Sequence, residues 1–315
     1  MDDHTPDTVG VDISKAHLDV HRRSTGESAR FANEATGFEE LAAWIDDPAV
    51  LLVYEATGQW HRGLEEHLAG RQPLARVNPL RARRFAQAMG EEAKTDAADA
   101  RTLAAMGASV EVRLVEPRTA AQRALGELVA ARDALVGDRT AALNRQKHAR
   151  HPLVGRQLKN RLAQIGRQIK ALDVEIGKAA EADAELSRRN EVLTSIPGIG
   201  PAVAAVLLAD MPELGRVDGK AAGSLIGVVP WARESGQWKG RAFIRGGRGR
   251  PRRLLYMAAV SASRCNPDMA RKYAELRERG KPPKVALTAV MRKLVVLANA
   301  LLKQDRTWTP EPVHG

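Results

Sequence analysis

Thr8-Val9-Gly10-Val11-Asp12-Ile13-Ser14-Lys15 decides how the first third of the chain reads. The run is apolar and β-branched, as a strand should be, yet a carboxylate, Asp12, interrupts it. A second such run, Val50-Leu51-Leu52-Val53-Tyr54-Glu55, also ends on an acid. An unpaired buried carboxylate is costly, so an acid in each of two very apolar strands needs a reason. Farther along, Lys94-Thr95-Asp96-Ala97-Ala98-Asp99-Ala100-Arg101 spaces two acids three apart, which on a helix puts both on one face. Singly, each acid has an ordinary explanation. Asp at a strand end is commonly a turn residue, and acids behind Thr95 would complement a helix N-terminus. Together, Asp12, Glu55, Asp96 and Asp99 are the oxygen ligands that a two-metal phosphoryl-transfer site needs. Mg²⁺ takes hard carboxylate oxygens, and two ions about 4 Å apart stabilise the attacking and leaving oxygens of a phosphodiester.

Around these acids the periodicity alternates. Strand-like runs lie near residues 8–13, 17–22, 28–32, 50–55 and 73–77, and helical stretches near 37–46, 59–69, 79–89 and 95–108. Leu103 and Met106 fall on the apolar side of the last. Three strands in succession, then strands alternating with helices, predict a mixed sheet covered by helices, the order of an RNase H-like domain. The fold class expected is therefore α/β plus all-α: an RNase H-like domain over 1–115, then helices.

Residues 116–192 change character. Leu158, Leu162, Ile165, Ile169, Leu172 and Ile176 alternate steps of four and three, a sustained heptad-type seam. An earlier set, Leu125, Leu128, Leu135 and Leu143, belongs to a preceding helix, with turn chemistry at His151-Pro152-Leu153-Val154-Gly155 between them. Two long antiparallel helices follow, either a coiled coil pairing with a second subunit or a hairpin packed on its own domain. Residues 193–303 form a mainly helical C-terminal domain. Its opening, Ser195-Ile196-Pro197-Gly198-Ile199-Gly200-Pro201, reads as a helix-hairpin-helix-like element in which Gly198 and Gly200 let backbone approach a DNA phosphate. A plain packing corner is the alternative. The helix Lys284–Lys303 closes the core, and 304–315 reads as a disordered tail.

Net charge is +11, from 49 Lys and Arg against 38 Asp and Glu, in a chain with 4% aromatics. That balance favours a polyanionic partner, nucleic acid first. The longest apolar candidates, near Val203–Leu208 and Leu294–Leu302, are too short to span a bilayer. Met1-Asp2-Asp3-His4 lacks the layout of a signal peptide, so a cytoplasmic protein with no membrane partner is expected. The lone cysteine, Cys265, excludes an intrachain disulfide or a zinc cluster and reads as a small buried hydrophobe.

From Gln237 to Tyr256 stand six arginines and one lysine with no acid: Lys239, Arg241, Arg245, Arg248, Arg250, Arg252 and Arg253. Several are spaced by glycine, which suits a backbone following a phosphate chain while guanidinium groups bind it. Ser235 stands at the entrance of this stretch, where a hydroxyl could attack a phosphodiester beside cations that stabilise the developing charge. No general base beside it is evident.

These motifs resemble those of the IS-one-ten group of insertion-sequence transposases, the serine recombinases whose N-terminal domain is a DEDD RuvC-like fold. The matches run from Val9 to about Lys303. They comprise Gly10-Val11-Asp12-Ile13-Ser14-Lys15 with Leu18-Asp19-Val20, Glu55-Ala56-Thr57-Gly58, Val77-Asn78-Pro79, Phe85-Ala86, and Lys94-Thr95-Asp96 with Asp99-Ala100. They continue with Ser195-Ile196-Pro197-Gly198-Ile199-Gly200, Gly227-Val228-Val229-Pro230, Glu234-Ser235-Gly236, Arg252-Arg253-Leu254-Leu255-Tyr256-Met257 and Met291-Arg292-Lys293-Leu294.

The resemblance implies that Asp12, Glu55, Asp96 and Asp99 form a Mg²⁺-binding tetrad of two ions, with Mn²⁺ able to substitute. It implies that Ser235 forms a covalent phosphoserine link to DNA. It further implies a composite site assembled between subunits of a dimer or tetramer, and a structured noncoding guide RNA pairing with donor and target DNA duplexes in a prokaryotic cell. One departure is Ile244-Arg245-Gly246-Gly247, where many relatives carry a serine-lysine pair before the glycine. Two other classes were open: a metal-only nuclease resembling Holliday-junction resolvases, with water as nucleophile, and an architectural nucleic-acid binder whose acids are structural.

Overall fold

The computed structural model describes residues 7–56, 58–91, 96–231, 234–235, 238–240 and 242–310, with backbone alone at 96–97, 234–235 and 238–239. The chain divides into two compact units, Met1–Arg118 and Thr119–Gly315.

The first unit is built on a five-stranded sheet: β1 (Thr8–Ile13), β2 (His17–Arg22), β3 (Ser28–Ala32), β4 (Leu51–Glu55) and β5 (Leu74–Val77), in the order β3-β2-β1-β4-β5. β1, β2 and β3 pair antiparallel, while β1, β4 and β5 run parallel. Helices α1 (Ala35–Ile45), α2 (Arg62–Leu68), α3 (Pro79–Ala88) and α4 (Asp96–Ser109) complete it. Strand alternation sorts side chains onto two faces. Val9, Val11, Leu52 and Tyr54 share one apolar layer with Phe38, Leu41, Leu64 and Leu68 of α1 and α2. Leu51, Val53, Ala75 and Val77 form the other with Leu103 and Met106 of α4. This topology is consistent with a RuvC-like DEDD domain, and the expected strands and helices of residues 8–109 are all found within a few residues of their reading.

The second unit is helical. α5 (Ala120–His148) starts with a capping box at Thr119 and Gln122 and packs antiparallel on α6 (Pro152–Glu181). Of the seam, Ile165, Ile169 and Ile176 are buried. The base of this hairpin enters the main core: Leu125, Val129 and Ile176 cluster with α7 (Ala184–Thr194), α8 (Pro201–Asp210), α9 (Gly219–Ile226), α10 (Gly249–Cys265), α11 (Pro267–Glu278) and α12 (Pro283–Lys303). The hairpin is thus continuous with the C-terminal core.

Three expectations are corrected. α12 has the length and apolarity to cross a membrane, with mean hydropathy 1.8, because its apolar run extends back past Leu294; its apolar residues are spent on the core instead. Residues 304–308 are docked rather than disordered. Arg188 donates to the Asp305 carboxylate (2.7 Å) and to its carbonyl (2.6 Å), and the Trp308 amide donates to Ser195 Oγ (2.8 Å). Cys265, at the end of α10, is exposed; the apolar side of that helix is filled by Leu255, Ala258, Ala259 and Ala262.

Candidate functional site

The parallel register places Val11 opposite Tyr54, so the next residues, Asp12 and Glu55, stand side by side at the C-terminal ends of neighbouring strands. Their face is fixed by their neighbours two residues back. Gly10 lies so close to α4 that a Cβ would meet the Ala100 carbonyl oxygen at 1.8 Å, and Val53 lies against Gly107 of the same helix. Alternation therefore turns Asp12 and Glu55 to the α4 side, away from Tyr54. Both are half-buried.

α4 runs antiparallel to β1. Thr8, wholly buried, donates to the Ala104 carbonyl (2.8 Å), and Gly10 abuts Ala100 and Ala104. Four residues of strand and eight of helix each span about 12–13 Å, so the first turn of α4, which begins at Asp96, falls at the level of Asp12. Asp99 is half-buried on that turn; the Asp96 side chain lies outside the described residues. Among the described residues no group of three His, Cys, Asp or Glu is close enough to hold a metal ion. Asp12, Glu55 and Asp99 therefore do not make a site alone. The donor set, carboxylates throughout, has the chemistry of a hard divalent cation.

Two features that the sequence reading missed hold this edge. Asn33 Nδ2 donates to the Ser14 carbonyl (2.7 Å) and the Trp60 carbonyl (3.2 Å), tying together the loops that follow the two acids. Gly10, quoted only as part of a motif, sets the distance from sheet to helix. The pattern holds no signal for Asn33; a glycine inside a very apolar strand was a signal for close backbone approach.

On the opposite face, Tyr54 is fully buried and its hydroxyl donates to Glu65 Oε1. His61 stacks on the Tyr54 ring, with centroids 6.1 Å apart, and lies 3.2 Å from Arg76. Burial and the Glu65 carboxylate push the Tyr54 pKa well above the usual phenol range. Burial pushes that of His61 down.

In the second unit, Ser235 pairs with Trp238 and Glu234 with Lys239 in a two-stranded antiparallel ladder, β6 (Glu234–Ser235) and β7 (Trp238–Lys239). Their side chains, and all of Arg241, lie outside the described residues. A bridge between Trp231 and Phe243, with N–H···O distances of 2.8 and 3.2 Å, closes the same loop farther back. Arg245 lies 4.2 Å over the Trp231 ring and 5.9 Å from that of Phe243.

The arginines beyond it are each paired within the chain, Arg248 and Arg250 partly buried and Arg253 exposed. Arg248 makes a fork of two hydrogen bonds to the buried Glu213 carboxylate (2.6 and 2.5 Å) and one to the Asp210 carbonyl (2.6 Å). Arg250 forks onto Asp210, one bond measuring 2.6 Å, and that pairing raises its pKa. Arg253 donates to Asp133 (2.5 and 2.8 Å), and Arg252 to the Gly246 carbonyl. The expectation of a charge row unrelieved by acids is thus corrected, since the acids come from elsewhere in the chain.

The glycines have structural work as well. Gly247 and Gly227, both with positive φ, meet backbone to backbone, a Cβ on Gly247 falling 2.3 Å from the Gly227 nitrogen. Gly198, with φ +102, abuts Ala262 of α10, while Gly200 at the start of α8 has open space around it.

Two family models match the chain. A DEDD transposase model of the IS110 group, described as Transposase, covers residues 9–149, and one described as Transposase IS116/IS110/IS902 family covers residues 190–274. A pilin gene-inverting protein of Moraxella bovis is 27% identical over 314 residues, spanning 95% of this chain and 96% of that one. A pilin gene-inverting protein of Moraxella lacunata shows the same identity and coverage.

Proposed function

The chain belongs to the IS110 family of transposases, enzymes that act on DNA, and on that premise we propose that it excises and inserts its own insertion sequence by strand exchange. The observation that carries this reading is the placement of Asp12 and Glu55 side by side on the face covered by the helix that begins at Asp96. DEDD transposase domains use divalent metal; here Asp12, Glu55, Asp96 and Asp99 would hold two Mg²⁺, with Mn²⁺ able to substitute. Bound ions neutralise phosphate charge and stabilise the attacking and leaving oxygens.

Ser235 is the nucleophile. Its oxygen bonds to phosphorus as the bridging phosphorus–oxygen bond breaks and a sugar hydroxyl leaves. The serine gives up one proton and the departing oxygen gains one, so the phosphodiester is conserved for rejoining. Rejoining is what inverting a gene requires, and the Moraxella proteins named for gene inversion favour it over the metal-only nuclease. Arg245, held over Trp231, supplies positive charge beside the Ser235 loop; Lys239, Arg241, Arg252, Arg253 and Gly200 contact nucleic acid. The chain works as a homo-oligomer, a dimer or tetramer joined through its long helices in coiled-coil fashion, with an element-encoded noncoding RNA as guide.

The test traps a covalent adduct. Protein, RNA transcribed from the element's flanks, labelled donor DNA and Mg²⁺ are mixed, denatured and separated, wild type beside Ser235→Ala and Asp99→Asn. An adduct from wild type alone supports the reading. Cleaved DNA without adduct from both wild type and Ser235→Ala overturns it in favour of the nuclease, and an undiminished adduct from Asp99→Asn removes that acid from the site.

A further inference from the structure

The closed end of the α5–α6 hairpin concentrates charge that nothing in the fold uses. Between Arg139 and Arg161 the sequence holds seven Lys and Arg and no Asp or Glu, against a net +11 for the whole chain. Nearer its base the hairpin mixes signs and pairs them: Arg132 with Asp173, Lys178 with Glu175 at 2.8 Å, Asp133 with Arg253 at 2.5 Å. At the closed end Arg161 reaches Asp138 at 3.8 Å. Arg139, Arg145, Lys147, Arg150, Arg156 and Lys159 are exposed and make no ion pair with any described residue.

Six like charges on two adjacent helix ends repel one another, and the opposed dipoles of the α5 C-terminus and the α6 N-terminus largely cancel there. Neither propensity nor packing requires these charges. The core contacts of α5 end at Val129, about 29 Å of helix before His148. The cations lie within about 14 Å of the turn on both helices, enough to meet several phosphates of a duplex.

We propose that the closed end of the α5–α6 hairpin is a docking surface for the phosphate backbone of a DNA duplex. The partner is double-stranded because residues 139–161 contain no Phe, Tyr or Trp, and single-strand binders depend on aromatic stacking platforms. It is bound through its backbone, since Arg and Lys side chains fanning from two helix ends carry charge without a base-reading element in a groove. The inference rests on the chain acting on DNA and not on either chemical assignment.

The test measures affinity of the full chain for a generic 30-base-pair DNA duplex and for an RNA duplex across a salt series. Arg145, Lys147, Arg150 and Arg156 are changed together to Gln. A control loses the same charge at Arg71, Lys178, Lys272 and Arg279, all of which are paired with exposed acids. Each lost phosphate contact lowers the slope of log K against log salt by about 0.9 on DNA, so the closed-end variant should lose up to about 3.6 units of slope and bind roughly tenfold or more weakly. The control should keep its slope, and both variants should keep the wild-type unfolding midpoint.

Loss on the DNA duplex supports the surface, and loss on the RNA duplex alone overturns it. An unchanged slope on DNA also overturns it. So does a variant that keeps its duplex slope but loses binding to anionic phospholipid vesicles or loses its oligomeric state, which would assign the surface to a membrane or to a second copy. Adduct formation by Ser235 is read separately, so its failure would not be mistaken for failure of the docking surface.

Discussion

Gly10→Ala tests whether the spacing between sheet and helix assembles the acids. An added Cβ would lie 1.8 Å from the Ala100 carbonyl oxygen and 2.5 Å from the Ala104 nitrogen, whereas ordinary contact begins at 3.4 Å. About 1.6 Å must be found, and both obstacles are backbone, so no side chain can swing aside; α4 has to move off β1. Overpacking of this kind costs about 3 kcal/mol, which in a unit near 100 residues lowers the unfolding transition by on the order of 10 °C. The same displacement carries Asp96 and Asp99 away from Asp12 and Glu55, and an error of about 1 Å in a reacting site costs roughly a hundredfold in rate. Thermal unfolding and the rate of adduct formation measure the two effects. Gly155→Ala is the companion: it sits in α6 with open space around it, so alanine should stabilise by about 0.5–1 kcal/mol and leave the rate alone. If Gly10→Ala unfolds within about 2 °C of wild type and reacts at the wild-type rate, α4 does not set the acid geometry.

Arg248→Ala should destabilise the second unit by about 2 kcal/mol, because the buried Glu213 loses its forked partner, and leave the salt dependence of DNA binding unchanged; a lowered slope with an unmoved unfolding midpoint would return Arg248 to the nucleic-acid surface. Burial holds the His61 pKa below its usual 6.5, opposed by Glu65 and reinforced by Arg76. The unfolded chain therefore takes up that proton first, so stability present above about pH 6.5 declines as pH falls below it and stops declining once the folded pKa is passed. Unfolding midpoints from pH 7.5 to 5.5 should fall less steeply for His61→Gln than for wild type, and equal slopes would exclude His61 as the source.

The first unit was legible because its signals are local. Alternation and β-branching mark β1 to β5, and an acid inside Val11–Ile13 or after Tyr54 is conspicuous against apolar neighbours. The arginine-rich stretch was misread because the acids that answer it stand 35 to 40 residues earlier, at Glu213 and Asp210, where a local charge count cannot see them. Gly198 and Gly247 show the same limit: a glycine in a turn fits a phosphate or a neighbouring helix equally well, and only the fold supplies Ala262 and Gly227. The helical seam announced a partner without naming it, since α5 satisfies the same heptad rule as a second subunit would. Trp308 lies in a proline-containing tail, and its docking depends on the Ser195 hydroxyl more than a hundred residues back.

Tyr54 and Glu55 are adjacent on one strand and face opposite ways, which gives the enzyme a safeguard against faulty alignment. A slip of β4 by one residue would exchange the two faces. The phenol would leave Glu65 and emerge beside Asp12, and the carboxylate of Glu55 would enter the apolar layer of Leu52, Leu64 and Leu68. Such a molecule is penalised twice, by a displaced aromatic anchor and by a stranded charge. A misaligned β4 is therefore disfavoured by the same two neighbouring residues that set Glu55 beside Asp12, so correct register and an intact acid pair come together.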